Sequence, residues 1–158
     1  MKATIHQINV NANGGVPKYS VDSARLQTRG VEGDKQNHRK FHGGPMRAVC
    51  LYSLELIEAL RAEGHSIEPG STGENLTISG LDWAEMKSGV VLQVGEARIE
   101  LTKTASPCQQ IAGSFVENEF KRIAQKTHRG WSRWYARVLV EVEVRLGDEV
   151  SILETAPD

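Results

Sequence analysis

The chain has 158 residues, 39% of them hydrophobic, and 19 Lys and Arg against 20 Asp and Glu leave a formal net charge of −1. That length suits one compact core and is short for two ordinary domains, so a single domain over residues 1–158 is expected. The balanced charge gives no general pull toward nucleic acid or anionic membrane, and no run approaches the roughly 18 apolar residues that cross a bilayer. The start, Met-Lys-Ala-Thr-Ile-His-Gln, lacks the apolar stretch of a signal peptide, which predicts a cytoplasmic protein with neither membrane nor nucleic acid as a partner.

Cys50 and Cys108 are the only cysteines. A cytoplasmic setting keeps both as free thiols, and they lie too far apart in sequence for a CxxC pair. No HExxH, GxxxxGK or GxSxG pattern occurs, which removes the usual support for a zinc protease, a P-loop nucleotidase or a serine hydrolase.

Thr4–Val10 reads as the first strand. Two glycine-rich segments follow, Asn13-Gly-Gly-Val-Pro-Lys18 and Gly30-Val-Glu-Gly-Asp-Lys-Gln36, both in polar sequence without helix or strand periodicity and both expected to be loops. Residues 35–47 then concentrate Lys35, Arg39, Lys40 and Arg47 with His38 and His42 around Gly43 and Gly44. Consecutive glycines let backbone amides approach a small anion, although a solvated basic loop accounts for the same residues. His38 and His42 would share a helical face, but Gly43, Gly44 and Pro45 disfavour a helix and hence a His/His zinc site.

Ser53 is placed to cap a helix over Leu54–Ala62, with Leu54, Ile57 and Leu60 on one face and Gly64 to end it. Pro69-Gly-Ser-Thr-Gly-Glu-Asn75 frames small hydroxyls between Gly70 and Gly73 before a strand at Leu76–Ile78. Such a loop can wrap a polar cofactor, or it can be a surface turn in which Glu74 and Asn75 bond local backbone. Val90–Val94 and Arg98–Thr102 flank Gly95-Glu96, a two-residue hairpin turn.

The hairpin delivers the chain to Pro107-Cys108, with Thr102, Thr104 and Ser106 nearby. A cysteine beside a proline among small hydroxyls suits a metal ligand or sulfur carrier, while burial as a small hydrophobe is the structural alternative. Ser114 can cap a second helix to about Gln125, with Phe115, Val116, Phe120 and Ile123 inward and Glu119, Lys121 and Arg122 in solvent. Arg129, Arg133 and Arg137 recur among Trp131, Trp134 and Tyr135, a set that can stack a heterocycle or simply cover one end of a barrel. Ala136–Val144 and Glu149–Leu153 supply closing strands. The rhythm is that of a mainly β (α+β) fold, a small barrel carrying two or three peripheral helices.

Taken in order, Gly14-Gly-Val-Pro-Lys18, Gly33-Asp-Lys-Gln36, His42-Gly-Gly-Pro45, Ala48-Val49 with Tyr52, Pro69-Gly70 with Gly73-Glu-Asn-Leu76, and Pro107-Cys108 resemble the MOSC domain, found at the carboxyl end of molybdenum cofactor sulfurases. The resemblance spans nearly the whole chain, and stand-alone bacterial members have about this length. It implies a barrel-like β fold, binding of the molybdenum cofactor (molybdopterin), and Cys108 as a molybdenum ligand or sulfur carrier. It further implies cofactor contacts from Lys18, Lys35, His42, Gly43, Gly44, Arg47, Gly70, Gly73, Glu74, Asn75, Thr102 and Arg133. One position departs: a TxxRxPC pattern is common in the family, and this chain has Ala105 where the arginine stands. Either Lys103 or one of Arg129, Arg133 and Arg137 replaces it or the ligand is altered, so the arginine's role is not carried over.

The implied activity is two-electron reduction of N-hydroxylated compounds. With two cysteines the chain has no ligands for an iron–sulfur cluster and no dinucleotide fingerprint, so a separate redox partner is expected. The alternative is a non-enzymatic carrier that holds a persulfide on Cys108 or passes cofactor to a sulfurating or target enzyme. The desulfurase domain that precedes MOSC in the sulfurases has no room here, so pyridoxal phosphate is not expected.

Overall fold

A computed structural model of the protein describes residues 2–35 and 44–155. Its centre is a closed barrel. The strands in chain order are β1 (Ala3–Val10), β2 (Tyr19–Val21), β3 (Ser23–Gln27), β4 (Gly30–Val31), β5 (Val49–Ser53), β6 (Leu76–Ser79), β7 (Val91–Val94), β8 (Ala97–Ala105), β9 (Arg133–Val140), β10 (Val142–Arg145) and β11 (Glu149–Glu154). Seven of them run β11-β7-β8-β9-β5-β6-β1, and Ala3 and Thr4 close the ring on Val150 and Glu149. Every pairing in the ring is antiparallel except β5 with β6. β2 continues the edge of β1, and β10-β3-β4 forms a separate small sheet.

Side-chain alternation fills the barrel. On β8, Ala97, Ile99 and Leu101 are buried while Arg98 and Lys103 point away, and on β9 the inward residues are Trp134, Ala136 and Val138. β5 differs, since all five residues of Val-Cys-Leu-Tyr-Ser are buried. A strand covered on both faces loses its alternation, so this one had no period to detect.

The helix α1 (Leu54–Ala62) follows β5 directly and forms as expected. Ser53 Oγ accepts from the Leu56 amide at 3.2 Å, and Ile57 and Leu60 enter the core. At the other end Gly64, at φ 105°, donates to the Arg61 carbonyl while the His65 amide returns to Leu60, which satisfies two terminal carbonyls.

Three segments differ from expectation. Residues 114–125 form no α-helix but short 3-10 turns, Gln109–Ser114, Val116–Asn118 and Phe120–Ile123. Phe115 and Ile123 are anchored in the core while Glu117 and Asn118 take φ of 53° and 59°, so tertiary anchoring overrides a weak local helix preference. Ser114 meets the Ser71 hydroxyl instead of capping. Gly30–Val31, expected as loop, is a strand because Leu26 and Gln27 pair with it. Residues 136–144 are two strands, since β9 ends at Val140 and β10 turns away to pair with β3.

Candidate functional site

The register of three adjacent strands builds the floor. Cys50 on β5 pairs with Tyr135 on β9, and on the other side of β9 Ala105 of β8 pairs with Arg133. Cross-strand partners share a face, and residues two apart share it too. Cys50, Tyr135, Arg133 and Ala105 therefore lie on one face, opposite Trp134 and Ala136 of the core. A spacing of four on a strand also keeps Arg133 and Arg137 together, but Arg137 is exposed and forms an ion pair with Glu100.

Loops roof this floor into a cleft lined by Gly15, Val16, Lys18, Lys35, Cys50, Thr72, Gly73, Ser106, Cys108, Gln110, Ile111, Arg133 and Tyr135. Pro107 has no amide to continue the β8 ladder, and Cys108 follows in extended backbone at φ −140° as the chain enters the turn Gln109–Ser114. Its thiol is half-buried at the cleft, whereas Cys50 is buried. Burial pushes the Cys50 thiol up to about 11, against the lowering pull of Arg133 and Lys18, and pushes the Tyr135 phenol up to about 12.

The two glycine loops lock together. A Cβ on Gly70 (φ 86°) would lie 2.5 Å from the Lys18 carbonyl, and one on Gly73 (φ 84°) would lie 3.0 Å from the Val16 side chain. The Lys18 amide in turn donates to the Gly70 carbonyl at 2.9 Å. Side chains complete the joint: Lys18 Nζ is 2.6 Å from Asp34 Oδ2, which also accepts from Asn75 Nδ2, while Asp34 Oδ1 accepts from the Asn11 amide.

Glu74 and Asn75 sit behind the cleft as struts. Asn75 Oδ1 accepts from the Cys50 amide and its Nδ2 donates to the Asn9 carbonyl. The Glu74 carboxylate accepts from the Gly70 amide and from the hydroxyls of Thr72 and Thr77. Burial raises its pKa, and those hydrogen bonds oppose the rise.

Arg133 is only 7% exposed. Its Nη1 donates to the Thr72 carbonyl at 2.6 Å, while Nη2 lies 3.5 and 3.4 Å from the carbonyls of Ala105 and Ser106, long for hydrogen bonds. Its buried Nε has no partner among the described residues.

Of the residues singled out from sequence, Lys18, Lys35, Gly73, Cys108 and Arg133 line the cleft. Gly70, Glu74 and Asn75 shape it from behind. Thr102 turns away and donates to the Met46 and Tyr135 carbonyls. Arg47 lies over the Tyr135 ring, 5.6 Å from its centroid. Gly44 borders a second concavity with Arg29, Asp34 and Lys35. His42 and Gly43 lie outside the described residues, as does His38. Among the described residues no group of three His, Cys, Asp or Glu side chains is placed to hold a metal.

Sequence reasoning missed Cys50, had Thr72 only among the small hydroxyls of its loop, and had Tyr135 only as one of three aromatics able to stack a heterocycle or cover a barrel end. Period-two spacing from Arg133 to Tyr135 could have found the last; Cys50 is visible only through its register with β9. Tyr135 is thus part of the cleft floor, Trp134 belongs to the core, and Arg122, expected in solvent, packs over the Trp131 ring at 4.0 Å.

Comparison with known proteins agrees with this architecture. The MOSC domain family matches residues 38–151. Protein YiiM of Escherichia coli (strain K12) is 31% identical over 122 residues, covering 73% of this chain and 54% of that protein. The uncharacterized protein YflK of Bacillus subtilis (strain 168) is 32% identical over 141 residues, 88% of this chain and 63% of YflK. The chain thus spans less than two thirds of either relative. The crystal structure of YiiM from Escherichia coli superposes with a TM-score of 0.72 at 24% identity, over 100% of this chain and 72% of that one, and shares the fold. No helix among the described residues is long and apolar enough to cross a membrane.

Proposed function

The chain belongs to the MOSC domain family, which is associated with molybdenum cofactor binding, and from that premise we propose that the cleft binds this cofactor and that the protein is the molybdenum-bearing component of a reductase of N-hydroxylated compounds. The observation that carries the reading is the half-buried Cys108 thiol opening onto the same cleft as Lys18, Lys35 and Arg133. A half-buried sulfur donor beside cationic side chains fits a metal that arrives within an anionic organic ligand. Arg133 and Lys35 in the lining add positive charge that suits an anionic ligand.

When bound, the cofactor supplies the two-electron redox chemistry. The protein's residues bind and orient. Cys108 would hold the metal as thiolate and gives up its proton on binding. Burial pushes the Cys50 thiol up to about 11 and the Tyr135 phenol up to about 12, so both stay protonated at neutral pH and add no negative charge to the cleft floor. The Lys18–Asp34 pair fixes the glycine loops that form one wall. A separate redox partner would deliver electrons, since the chain's two cysteines cannot ligate an iron–sulfur cluster.

The accessibility of Cys108 also favours a second reading, a carrier holding a persulfide on that sulfur. Metal and pterin content of protein purified from a cofactor-producing host, wild type beside Cys108→Ser, tests the leading proposal. Molybdenum and pterin in wild type, with metal lost in the variant, is expected. Absence of both from wild type would sink it. A sulfur adduct on Cys108 without N-hydroxyl reductase activity would favour the carrier.

A further inference from the structure

Among the described residues the cleft encloses about 80 Å³, whereas pockets that bury an organic ligand hold about 300–1,000 Å³. A ligand of that size enters only when one side moves. The floor is part of the closed ring of strands. The glycine-loop side is locked by the Lys18–Asp34 pair, whose side chains are 11% and 2% exposed, and by the Lys18 amide on the Gly70 carbonyl. The remaining side, formed by Cys108, Gln110 and Ile111, begins a stretch of 3-10 turns that runs on to Trp131.

This stretch joins no sheet. Its backbone hydrogen bonds run between residues three or four apart within it, as from Ile111 to Cys108 and from Trp131 to His128, and none reaches a strand among the described residues. Its ends are fixed at Pro107, beyond the last ladder pair of β8, and at Trp131, whose carbonyl accepts from the Tyr52 hydroxyl at 2.6 Å. Between them Ile111, Phe115 and Ile123 are buried in the core. The polar ties to the rest of the protein gather at one place. Ser66 Oγ donates to the Gly113 carbonyl at 3.2 Å, the Val116 amide donates to His65 Nδ1 at 3.0 Å, and Arg122 donates through Nε and Nη2 to the Glu63 carboxylate at 2.9 and 2.7 Å. All three end on residues 63–66, just past α1, and a fourth, between the Ser114 and Ser71 hydroxyls, ends in the loop that follows. A segment without ladder bonds, fastened mainly at one point, opens as a unit at lower free energy than the barrel that carries it.

We propose that residues 108–131 are a strap over the cleft, fastened by a clasp of Glu63, His65 and Ser66, and that its release as one unit widens the cleft and bares the Cys108 thiol. Arg122 and Glu63 are thereby positioning residues for Cys108, although neither lines the cleft. Opening is a property of the chain itself and requires no molybdenum.

Native-state hydrogen exchange read by mass spectrometry, together with labelling of Cys108 by pyrene maleimide, a reagent too large for the closed cleft, tests the strap on the full, cofactor-free chain. Peptides from 109–128 are expected to exchange together and at least about tenfold faster than those of β5 and β9. Arg122→Met should speed both strap exchange and Cys108 labelling about tenfold or more. Glu63→Gln should fall between that variant and wild type, since the amide keeps an acceptor and loses the charge. Val150→Ala removes buried apolar volume where the ring closes and leaves the clasp intact, so Cys108 labelling should stay within about twofold of wild type. Three results would each overturn the proposal: strap peptides exchanging no faster than β5 and β9, Arg122→Met labelling within about twofold of wild type, or equal acceleration by Val150→Ala.

The strap and the functional reading fail separately. Clasp-dependent opening in a protein that never acquires molybdenum would uphold the strap and reject the cofactor. Cys108-dependent molybdenum in a protein whose residues 109–128 exchange with the barrel would do the reverse.

Discussion

Among the described residues two arginines each bury a guanidinium nitrogen that has no hydrogen-bond partner, Arg122 Nη1 and Arg133 Nε, yet their surroundings differ. Arg122 donates through Nε and Nη2 to both carboxylate oxygens of Glu63 at 2.9 and 2.7 Å and lies over Trp131. It thereby fastens the end of α1 to the turn Phe120–Ile123, and its charge is cancelled within the protein. Among the described residues Arg133 is held by carbonyls and forms no ion pair. An orphaned N–H is therefore a weak sign of a ligand site; an uncompensated charge beside a cleft is a stronger one.

Removing Asp34 makes the sharpest break, because it turns the paired cation of the cleft wall into an unpaired one. Asp34→Ala strands Lys18 and frees Asn75 and the Asn11 amide, and should lower unfolding free energy by about 3 kcal/mol in urea denaturation. A change under about 1 kcal/mol would mean that the glycine loops are held by backbone contacts alone.

The cleft floor and mouth should differ almost as much in reactivity. Iodoacetamide at neutral pH should label Cys108 at least about a hundredfold faster than Cys50, which is buried and carries a thiol pushed up to about 11. Mass spectrometry of peptides reads the ratio, and equal labelling in folded protein would contradict the register that buries Cys50.

The two arginines should then separate cleanly. Arg122→Met loses a charge pair and an aromatic contact and should cost about 2 kcal/mol of stability in urea denaturation. Arg133→Met should change stability by no more than about 1 kcal/mol, since one lost hydrogen bond is offset by relief of a buried charge. Equal destabilisation by both would make Arg133 a structural cation as well.

The smallest effect is pH dependence at Glu63. Its hydrogen bonds with Arg122 hold its carboxyl below the usual range, so the contribution is present above the unfolded value of about 4.3 and is lost as pH falls through the lower folded value. Arg122→Met should flatten this acid limb of the stability profile. An unchanged limb would assign the acid sensitivity elsewhere.

Local punctuation was legible in the sequence: Ser53 and Gly64 bracket α1, and Gly95, at φ 57°, turns the β7–β8 hairpin. The ordered glycine motifs also carried the family and hence the barrel. Residues 114–125 were not legible, because their apolar spacing fits a helix and only the anchoring of Phe115 and Ile123 forces 3-10 turns. Cys50 was hidden for a different reason, since β5 is buried on both faces and shows no alternation.

The strand-rich rhythm, the turn positions and the break of the strand at Pro107 follow from the chain order alone, because each rests on the conformational limits of neighbouring residues. Only the tertiary structure decided which cation stands beside Cys108. The β8–β9 register brings Arg133 alongside Ala105 across 27 intervening residues, and the Lys18–Asp34 pair neutralises a charge that in sequence looked equally available. Pairing of charges is a property of space, and the chain order does not contain it.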